Sequence, residues 1–370
     1  MPNVSASGEG WLTGWDYRQG ITITGSSGAG TNYQVKLDVT YDANMQTDFD
    51  DLRVTTEDGV TLLDHWIESF ITGTSAVVWV EVADNLNTTQ IIYMYHGNVG
   101  ATDASNGVAT FPFFDDFDDA SINTTLWDTT WLDGGSVVEA GGIITVDGTD
   151  GAQSLGAKVE FGTGYAYEYL AKVDEQNTVT LGADERSTDG TFDGGSYDTA
   201  DLMFSTVKKW RTSEEGVQDT DARAEDYSTY QRLTIARNAV TDTRFFIGGV
   251  LKHTMNTEIP DEDMGVMVYI TGASSEAFMN WTFVRKYIVV EPVAMFGIWQ
   301  EVGEAPLLFN VPFEMWGYNS GLIILGLCMI PASMLYLAYG VKHDRSSDRL
   351  FYGLILFFMG CGLFIGGIMP

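Results

Sequence analysis

The feature that most constrains this chain is a succession of short segments in which apolar and polar side chains alternate. Such runs occupy residues 20–24, 33–39, 76–82 and 90–96. Alternation places the apolar side chains on one face of a strand, and turns rich in Gly or Asp separate the runs. Strands that recur every dozen or so residues, with no amphipathic helix between them, predict an antiparallel β-sandwich.

A second series of strand-like runs begins at Phe113. The runs lie at residues 142–146, 165–173, 178–182, 230–237, 243–247, 265–270, 281–290 and 294–299. Gly248 and Gly249 mark a tight hairpin, because both central positions of such a turn require positive φ. Residues 212–228 are polar and acidic, which predicts a long loop. This series therefore predicts a second sandwich.

Two apolar stretches without a charged residue end the chain. They cover residues 316–341 and 350–370, and a charged loop at 342–349 joins them. A hydrocarbon core about 30 Å thick takes about 20 residues of helix to cross, and both stretches meet that length. They predict two transmembrane helices in a hairpin, preceded by a linker at residues 301–315.

These patterns together predict the fold class and the domain order. The fold class is all-β, with two tandem antiparallel β-sandwich domains at residues 1–112 and 113–300, plus a C-terminal two-helix transmembrane hairpin. The basic residues of the loop between the helices favour a cytoplasmic loop with both ends of the chain outside. Residues 1–10 have neither the basic nor the apolar region of a signal peptide.

The chain is strongly acidic, with a formal net charge of −32 at pH 7. A field of this sign repels phosphate backbones, so we expect no nucleic-acid partner. Cys328 and Cys361 are the only cysteines, and both lie in the apolar stretches. The acidic body is therefore predicted to fold without disulfides.

Four N-x-[ST] triplets begin at Asn3, Asn87, Asn123 and Asn280. Such a triplet is the acceptor pattern for N-linked glycans. A chain rich in Thr and Asn contains several by chance, so the triplets alone assign no modification.

Six spaced motifs in the first half resemble the domain of unknown function 2341 family over about residues 10–115. The motifs are Trp15-Asp16-Tyr17-Arg18, Asn32-Tyr33-Gln34-Val35, Asp48-Phe49-Asp50-Asp51-Leu52-Arg53-Val54, Asp64-His65-Trp66-Ile67-Glu68, Val78-Trp79-Val80 and Ile92-Tyr93-Met94-Tyr95-His96-Gly97-Asn98. The resemblance implies a surface or secreted protein of archaea or bacteria. The family has no established activity, so it implies architecture and setting rather than chemistry.

Residues 113–300 resemble a concanavalin-like jelly roll of the laminin-G type. The resemblance rests on residues 114–119 (Phe-Asp-Asp-Phe-Asp-Asp), on Leu126-Trp127 and on the Gly248-Gly249 hairpin. It implies that the second sandwich is a jelly roll of the kind that often follows the first domain.

No arrangement of catalytic side chains is recognisable in the sequence. A retaining glycoside hydrolase needs two carboxylates about 5–5.5 Å apart, which would appear as alternating acids on one face of a strand. Glu160, Glu168 and Asp174 stand alone, and the acids from Glu214 to Asp226 lie in the run predicted as a loop. The four histidines have no nucleophile context. The sequence therefore predicts that the protein is not an enzyme.

A structural calcium ion is one expected cofactor. Four aspartates crowd residues 115–119, and hard cations take several oxygen ligands. Alternation along a strand would place Asp116 and Asp118 on one face, with Phe117 buried opposite. A surface cluster in an acidic protein is the alternative.

Carbohydrate ligands would pack on exposed aromatic rings beside polar groups. Four aromatic residues lie in polar or Gly-rich surroundings and are the candidate ligand-binding residues: Trp131, Tyr197, Trp210 and Tyr227. Packing in the core is the alternative for each of them.

These observations predict a non-catalytic, membrane-anchored surface protein for adhesion or carbohydrate recognition, with residues 1–315 exposed on a cell or virion. The expected partners are a glycan or surface polysaccharide and the lipid bilayer. A homo-oligomer through the transmembrane helices is also expected, because Gly317-x-x-x-Gly321 and Gly362-x-x-x-Gly366 allow close helix packing. A structural subunit of a viral spike or cell envelope and a glycoside hydrolase-like enzyme stay open as alternatives.

Overall fold

A computed structural model describes nine segments of the chain. They are residues 10–129, 132–148, 152–174, 179–185, 198–204, 208–224, 227–239, 241–270 and 275–302. Residues 303–315 of the predicted linker and both predicted transmembrane stretches lie outside these residues. Within the described segments, no helix has the length and apolar character needed to cross a membrane. Because the predicted two-helix hairpin lies wholly outside these segments, the structure gives it no support.

The first part of the chain forms seven strands and a single-turn helix. They are β1 (Tyr17–Thr24), β2 (Tyr33–Thr40), β3 (Arg53–Thr56), β4 (Leu62–Leu63), β5 (His65–Ile71), β6 (Ser75–Val82), β7 (Gln90–His96) and α1 (Gly107–Thr110). Strand β2 shows why the pattern works: Val35, Leu37 and Val39 are buried while Lys36 and Asp38 are exposed.

The remaining strands follow α1. They are β8 (Phe113–Asp115), β9 (Trp127–Asp128), β10 (Leu132–Asp133), β11 (Ser136–Glu139), β12 (Ile144–Asp147), β13 (Ala152–Ala157), β14 (Tyr165–Val173), β15 (Val179–Asp184), β16 (Thr199–Phe204), β17 (Lys209–Glu214), β18 (Val217–Ala222), β19 (Gln231–Asn238), β20 (Asp242–Ile247), β21 (Val250–Met255), β22 (Gly265–Ile270), β23 (Glu276–Lys286) and β24 (Val293–Glu301).

Four antiparallel sheets form two sandwiches. In the first sandwich, a five-stranded sheet in the order β24-β1-β7-β3-β4 faces a three-stranded sheet in the order β2-β6-β5. In the second, a sheet in the order β10-β13-β22-β15-β16-β17-β18 faces one in the order β11-β12-β23-β14-β19-β20-β21, with β9 and β8 at their sides. The prediction of an all-β fold of antiparallel sandwiches is confirmed, and the second sandwich is jelly-roll-like.

Two local predictions differ from the structure. Residues 212–228 were expected to form a loop, but β17 and β18 pair through most of this run. Residues 294–299 were expected to close the second sandwich, but β24 pairs with β1 of the first. The last strand of the first sandwich thus follows the second sandwich in the sequence, and its residues Trp299 and Ala294 pack on the first core.

Six aromatic residues join the two sandwiches. They form one buried cluster of Trp66, Trp79, Phe111, Phe114, Trp281 and Phe283. Phe283 on β23 stacks on Phe111 with ring centroids 4.1 Å apart, and Trp66 of the first sandwich meets Phe114 edge-on at 4.9 Å. The rings come from both sandwiches, so the junction is an apolar core rather than a flexible link.

A buried ion-pair network lies beside this aromatic cluster. The fully buried Glu168 carboxylate accepts hydrogen bonds from Arg285 Nε at 2.8 Å and from Arg232 Nε at 3.0 Å. Arg232 Nη1 also reaches Glu68 of the first sandwich at 2.8 Å, and Arg285 Nη1 reaches Glu291 at 2.5 Å. The network lines a cavity of about 340 Å³, where these charged groups bond chiefly to one another.

Candidate active site

Three carboxylates stand side by side where strands β15, β16 and β17 reach the same end of the second sandwich. Glu185 follows β15, Asp198 precedes β16 and Glu214 ends β17. Asp184 pairs with Thr199, and Thr199 pairs with Ser213, so the three acids are the next residues in register. Directly opposed residues on adjacent strands have Cβ atoms about 4.5–5.5 Å apart, which brings like charges close together.

Asp198 is the central and most buried member of this carboxylate row, with 2% of its surface exposed. Its Oδ1 accepts a hydrogen bond from the backbone N–H of Glu215 at 2.7 Å. Its backbone oxygen accepts the N–H of Glu185 at 3.0 Å. Asp198 is therefore held on both sides by the strands next to it.

Glu185 and Glu214 both retain protons near neutral pH. Burial, a hydrogen bond with Asp198 and the charge of Asp198 raise the pKa of Glu185 to about 7. Burial and the charges of Asp261 and Asp198 raise the pKa of Glu214 to about 7. The N–H of Asp261 also donates to Glu214 Oε2 at 3.1 Å. The row thus contains two carboxyl pairs joined by side-chain hydrogen bonds, Glu185 with Asp198 and Glu214 with Asp261.

A tight hairpin positions the row. Glu215 and Gly216 connect β17 to β18, and both have positive φ, at 47° and 81°. Two consecutive residues of this kind form the turn that matches the twist of paired strands. The turn directs the N–H of Glu215 toward Asp198, so the shape of the hairpin decides where that carboxylate lies.

A cluster of hydrogen-bonded polar side chains lies near the row, on the face of the same sheet that points away from the core. Arg211 Nη2 donates to Asp201 Oδ2 at 2.5 Å, and the Thr199 hydroxyl donates to the same oxygen at 2.5 Å. All three side chains are buried. A Cβ on Gly182 would lie 2.4 Å from Asp201 Cβ, so the glycine makes room for this aspartate.

The sequence contains only a weak signal for this site. Glu214 was assigned to a loop, so its place at a strand end beside Asp198 was missed. The row crosses three strands, whereas the pattern expected of a retaining glycoside hydrolase is acids that alternate along one strand. The Glu215-Gly216 turn, like the correctly predicted Gly248-Gly249 hairpin with φ of 58° and 76°, is the one local signal that could have indicated it.

Two of the four candidate sugar-binding aromatic residues, Trp210 and Tyr227, are buried. Trp210 is 3% exposed and packs in the core on Phe245, with ring centroids 5.1 Å apart. Tyr227 is fully buried, edge-on to Phe204. Neither offers an exposed ring, because their strands or loops turn these side chains inward. Trp131 and Tyr197 lie outside the described residues.

Asp116 and Asp118, the expected calcium ligands, do not lie on a continuous strand. Strand β8 ends at Asp115, and Phe117 has a φ of 54°, so alternation does not carry through residues 116–118. Asp115 instead accepts hydrogen bonds from Phe117 N at 2.9 Å and from Trp127 Nε1 at 2.6 Å. Asp116 is partly buried and Asp118 is exposed.

Within the described segments, no group of three or more His, Cys, Asp or Glu side chains is arranged to hold a metal ion. Binding of calcium by Asp116 and Asp118 stays a prediction.

The raised pKa values predict how stability changes with pH. Because the folded pKa of Glu185 and of Glu214 is about 7, above the ordinary 4.5, the folded state keeps protons that the unfolded chain has released between these values. This contribution is full below pH 4.5 and is lost as pH rises through 7. Between pH 5 and 8 we expect Tm to fall by about 2–5 °C more in the wild type than in a Glu185→Gln/Glu214→Gln variant, a modest value because both groups are partly solvated.

Calorimetry of both proteins across this pH range measures the difference. Equal pH dependence in the two proteins would show that the glutamates titrate normally.

Comparison with solved structures finds glycan-cleaving enzymes. A Bacillus licheniformis β-glucanase is 19% identical, with a TM-score of 0.37, and covers 47% of this chain and 98% of its own. The laminarinase catalytic domain of Thermotoga maritima is 11% identical, with a TM-score of 0.38, and covers 48% and 98%. A structure from work on endo-acting O-glycanases that human gut microbiota express to initiate mucin breakdown is 12% identical, with a TM-score of 0.39, and covers 48% and 100%.

These enzymes contradict the expectation of a non-catalytic adhesion or recognition protein. The expectation failed because it relied on acids alternating within one strand, and it is withdrawn. No curated protein matches the chain. Residues 48–130 match the family model described as Domain of unknown function (DUF2341), which covers part of the first sandwich and the first strands of the second.

Proposed function

We propose that the second sandwich hydrolyses glycosidic bonds at the carboxylate row. The observation that carries this proposal is the adjacency of Asp198 to Glu214, whose pKa is raised to about 7. Glycoside hydrolysis uses one carboxyl that donates a proton to the leaving oxygen and a second carboxylate that attacks the sugar or activates water. Carboxyl groups whose environments differ are suited to such a division of roles.

Glu214 is the acid in this proposal. It keeps a proton near neutral pH, and it lies at the more open end of the row, beside the exposed Asp261. A general acid works best when its pKa is close to the working pH. Glu214 would therefore protonate the glycosidic oxygen as the bond breaks.

Asp198 is the nucleophile. Its carboxylate is fixed by the Glu215 N–H, and the register of β16 and β17 places Asp198 opposite Glu214. Directly opposed residues have Cβ atoms about 4.5–5.5 Å apart, and retaining enzymes need two carboxyl groups about 5–5.5 Å apart. Glu185 shares a hydrogen bond with Asp198, so it helps to orient that carboxylate. These roles require no side chain from the first sandwich.

The test is release of reducing ends from defined polysaccharides by the full chain. The substrates are β-1,3-glucan, mixed-linkage β-glucan and mucin-type O-glycans, chosen because the similar structures act on such polymers or are described as doing so. Release by the wild type, abolished in an Asp198→Asn/Glu214→Gln variant that keeps its Tm, supports the proposal. Equal release by both proteins, or none from any polymer, rejects it.

The setting of the protein stays a proposal as well. Exposure of residues 1–315 at a cell or virion surface, anchoring in a bilayer and oligomerisation through the C-terminal stretches are supported by the uncharged runs at 316–341 and 350–370. A surface location suits action on an external polysaccharide. Membrane retention of the full chain after alkaline washing, lost when residues 316–370 are removed, would test the anchor.

A further inference from the structure

Three of the four N-x-[ST] triplets lie in the described part of the chain. They differ in whether the side-chain amide nitrogen of the asparagine is hydrogen-bonded within the fold. The triplets begin at Asn87, Asn123 and Asn280. An N-linked glycan is attached to the asparagine and is bulky, so an acceptor must lie at the surface. Attachment is through Nδ2, which must therefore be free of a structural hydrogen bond.

Asn87 lies in the exposed turn before β7. Its Oδ1 accepts hydrogen bonds from the N–H of Gly28 at 2.9 Å and of Gly30 at 3.1 Å. A backbone N–H can only donate, so the atom that faces these glycines must be the amide oxygen. The Nδ2 atom then points away from the turn, and the hydrogen bonds of the described residues do not involve it.

Asn123 lies in the exposed turn before β9. Its Oδ1 accepts hydrogen bonds from the Thr125 N–H at 3.1 Å and from the Thr125 hydroxyl at 2.6 Å. The N–H donor again identifies the oxygen, so Nδ2 is directed outward. Thr125 is the third residue of the triplet, and it holds the asparagine in an orientation that exposes the nitrogen.

Asn280 has the opposite arrangement. It lies within β23, and its Nδ2 donates to the backbone oxygen of Gly142 at 2.8 Å. A carbonyl only accepts, so this contact identifies the nitrogen. Thr282 of the same triplet is fully buried and donates to the backbone oxygen of Glu168 at 2.9 Å. A glycan on Asn280 would break the bond to Gly142 and would have to fit between neighbouring strands.

We propose that Asn87 and Asn123 are acceptor sites for N-linked glycans and that Asn280 is not. The donor is an oligosaccharide on a lipid pyrophosphate, and a transferase supplies the base. Nδ2 attacks the anomeric carbon, the new C–N bond replaces the C–O bond to the pyrophosphate, one amide proton passes to the base, and the lipid pyrophosphate leaves with the electron pair. Oδ1 takes no part, so its bonds to Gly28 and Gly30, or to Thr125, survive the modification.

The experiment expresses the full chain in a eukaryotic secretory pathway, with a signal sequence and an N-terminal tag that contains one control triplet. Asn3→Asp is present in every version, so that only three natural triplets remain. Glycans are located by intact mass and peptide mapping, and only molecules with a glycosylated tag are scored, because these have met the transferase. The expected result is two further glycans.

Single substitutions assign the two glycans. Asn87→Asp and Asn123→Asp should each remove one glycan while keeping an acceptor oxygen for the local hydrogen bonds, and Asn280→Asp should remove none. Absence of a glycan at Asn87 or Asn123 overturns that site. A glycan at Asn280 with similar occupancy overturns the argument from the amide nitrogen. Tm values of the Asp variants within about 2–4 °C of the parent would show that they fold alike.

Discussion

Asp198→Asn is expected to lower kcat for polysaccharide hydrolysis by about 10³-fold or more. The amide keeps the size of the side chain and an oxygen for the Glu215 N–H, but it cannot attack a sugar carbon as a carboxylate can. Glu214→Gln is expected to cost about 10²- to 10⁴-fold, the usual range for a lost general acid. Asp198→Asn removes a carboxylate from a row of acids, and Glu214→Gln replaces a largely protonated carboxyl by a neutral amide of the same size, so neither should lower Tm.

The pH profile distinguishes an acid role from a structural one. Activity of the wild type should fall as pH rises through about 7, because Glu214 then loses its proton. Asp261→Asn removes the charge of Asp261, which helps to raise that pKa, so this limb of the profile should move to lower pH. Glu57→Gln, at an exposed turn of the first sandwich, is the matched control and should change neither kcat nor the profile. An unchanged profile in Asp261→Asn would exclude Glu214 as the acid.

Arg285→Met is expected to lower the free energy of unfolding by about 3–5 kcal/mol, the cost of leaving a buried charge without its partner. Burial raises the pKa of Glu168, but Arg232 and Arg285 outweigh it, and the pKa lies below its ordinary value. Without Arg285, Arg232 is the one ionic partner that Glu168 keeps among the described residues, and Glu291 loses its ion pair with Arg285. Urea denaturation measures the loss.

Two further variants make this result specific. Lys36→Met removes an exposed pair with Asp38 on β2 and should cost about 0–1 kcal/mol. Glu168→Gln in the Arg285→Met background should recover part of the loss, because it removes the uncompensated charge. If Arg285→Met costs no more than Lys36→Met, the network contributes little to stability.

Much of the fold could be predicted because the alternation of apolar and polar residues within a strand shows which of its faces is buried. The runs expected at 33–39, 76–82 and 90–96 agree with β2, β6 and β7 within one residue, since alternation along each strand shows which face is buried. Hairpin turns are also local, as the Gly248-Gly249 prediction shows. The prediction failed for β17 and β18, whose exposed or polar side chains give no apolar alternation.

Long-range pairing was not accessible to the same reasoning. Strand β24 is apolar and follows the second sandwich directly, so nothing in its own residues shows that it pairs with β1, more than 250 residues earlier. The aromatic cluster at the junction likewise brings together residues that are far apart in the sequence. Trp66 and Phe283 are each typical of a core, but only the folded chain shows that they belong to one core shared by two sandwiches.

The sequence by itself determined an all-β chain of antiparallel sandwiches, because apolar periodicity and turn residues act within a few positions of one another. Only the tertiary structure decided which acids meet. Glu185, Asp198 and Glu214 are separated by more than ten residues along the chain and become neighbours through strand register. The raised pKa values of Glu185 and Glu214 arise from burial and from charges that lie far away along the chain, which no local pattern records. The candidate chemistry of this protein is therefore a property of the sheet rather than of any one segment.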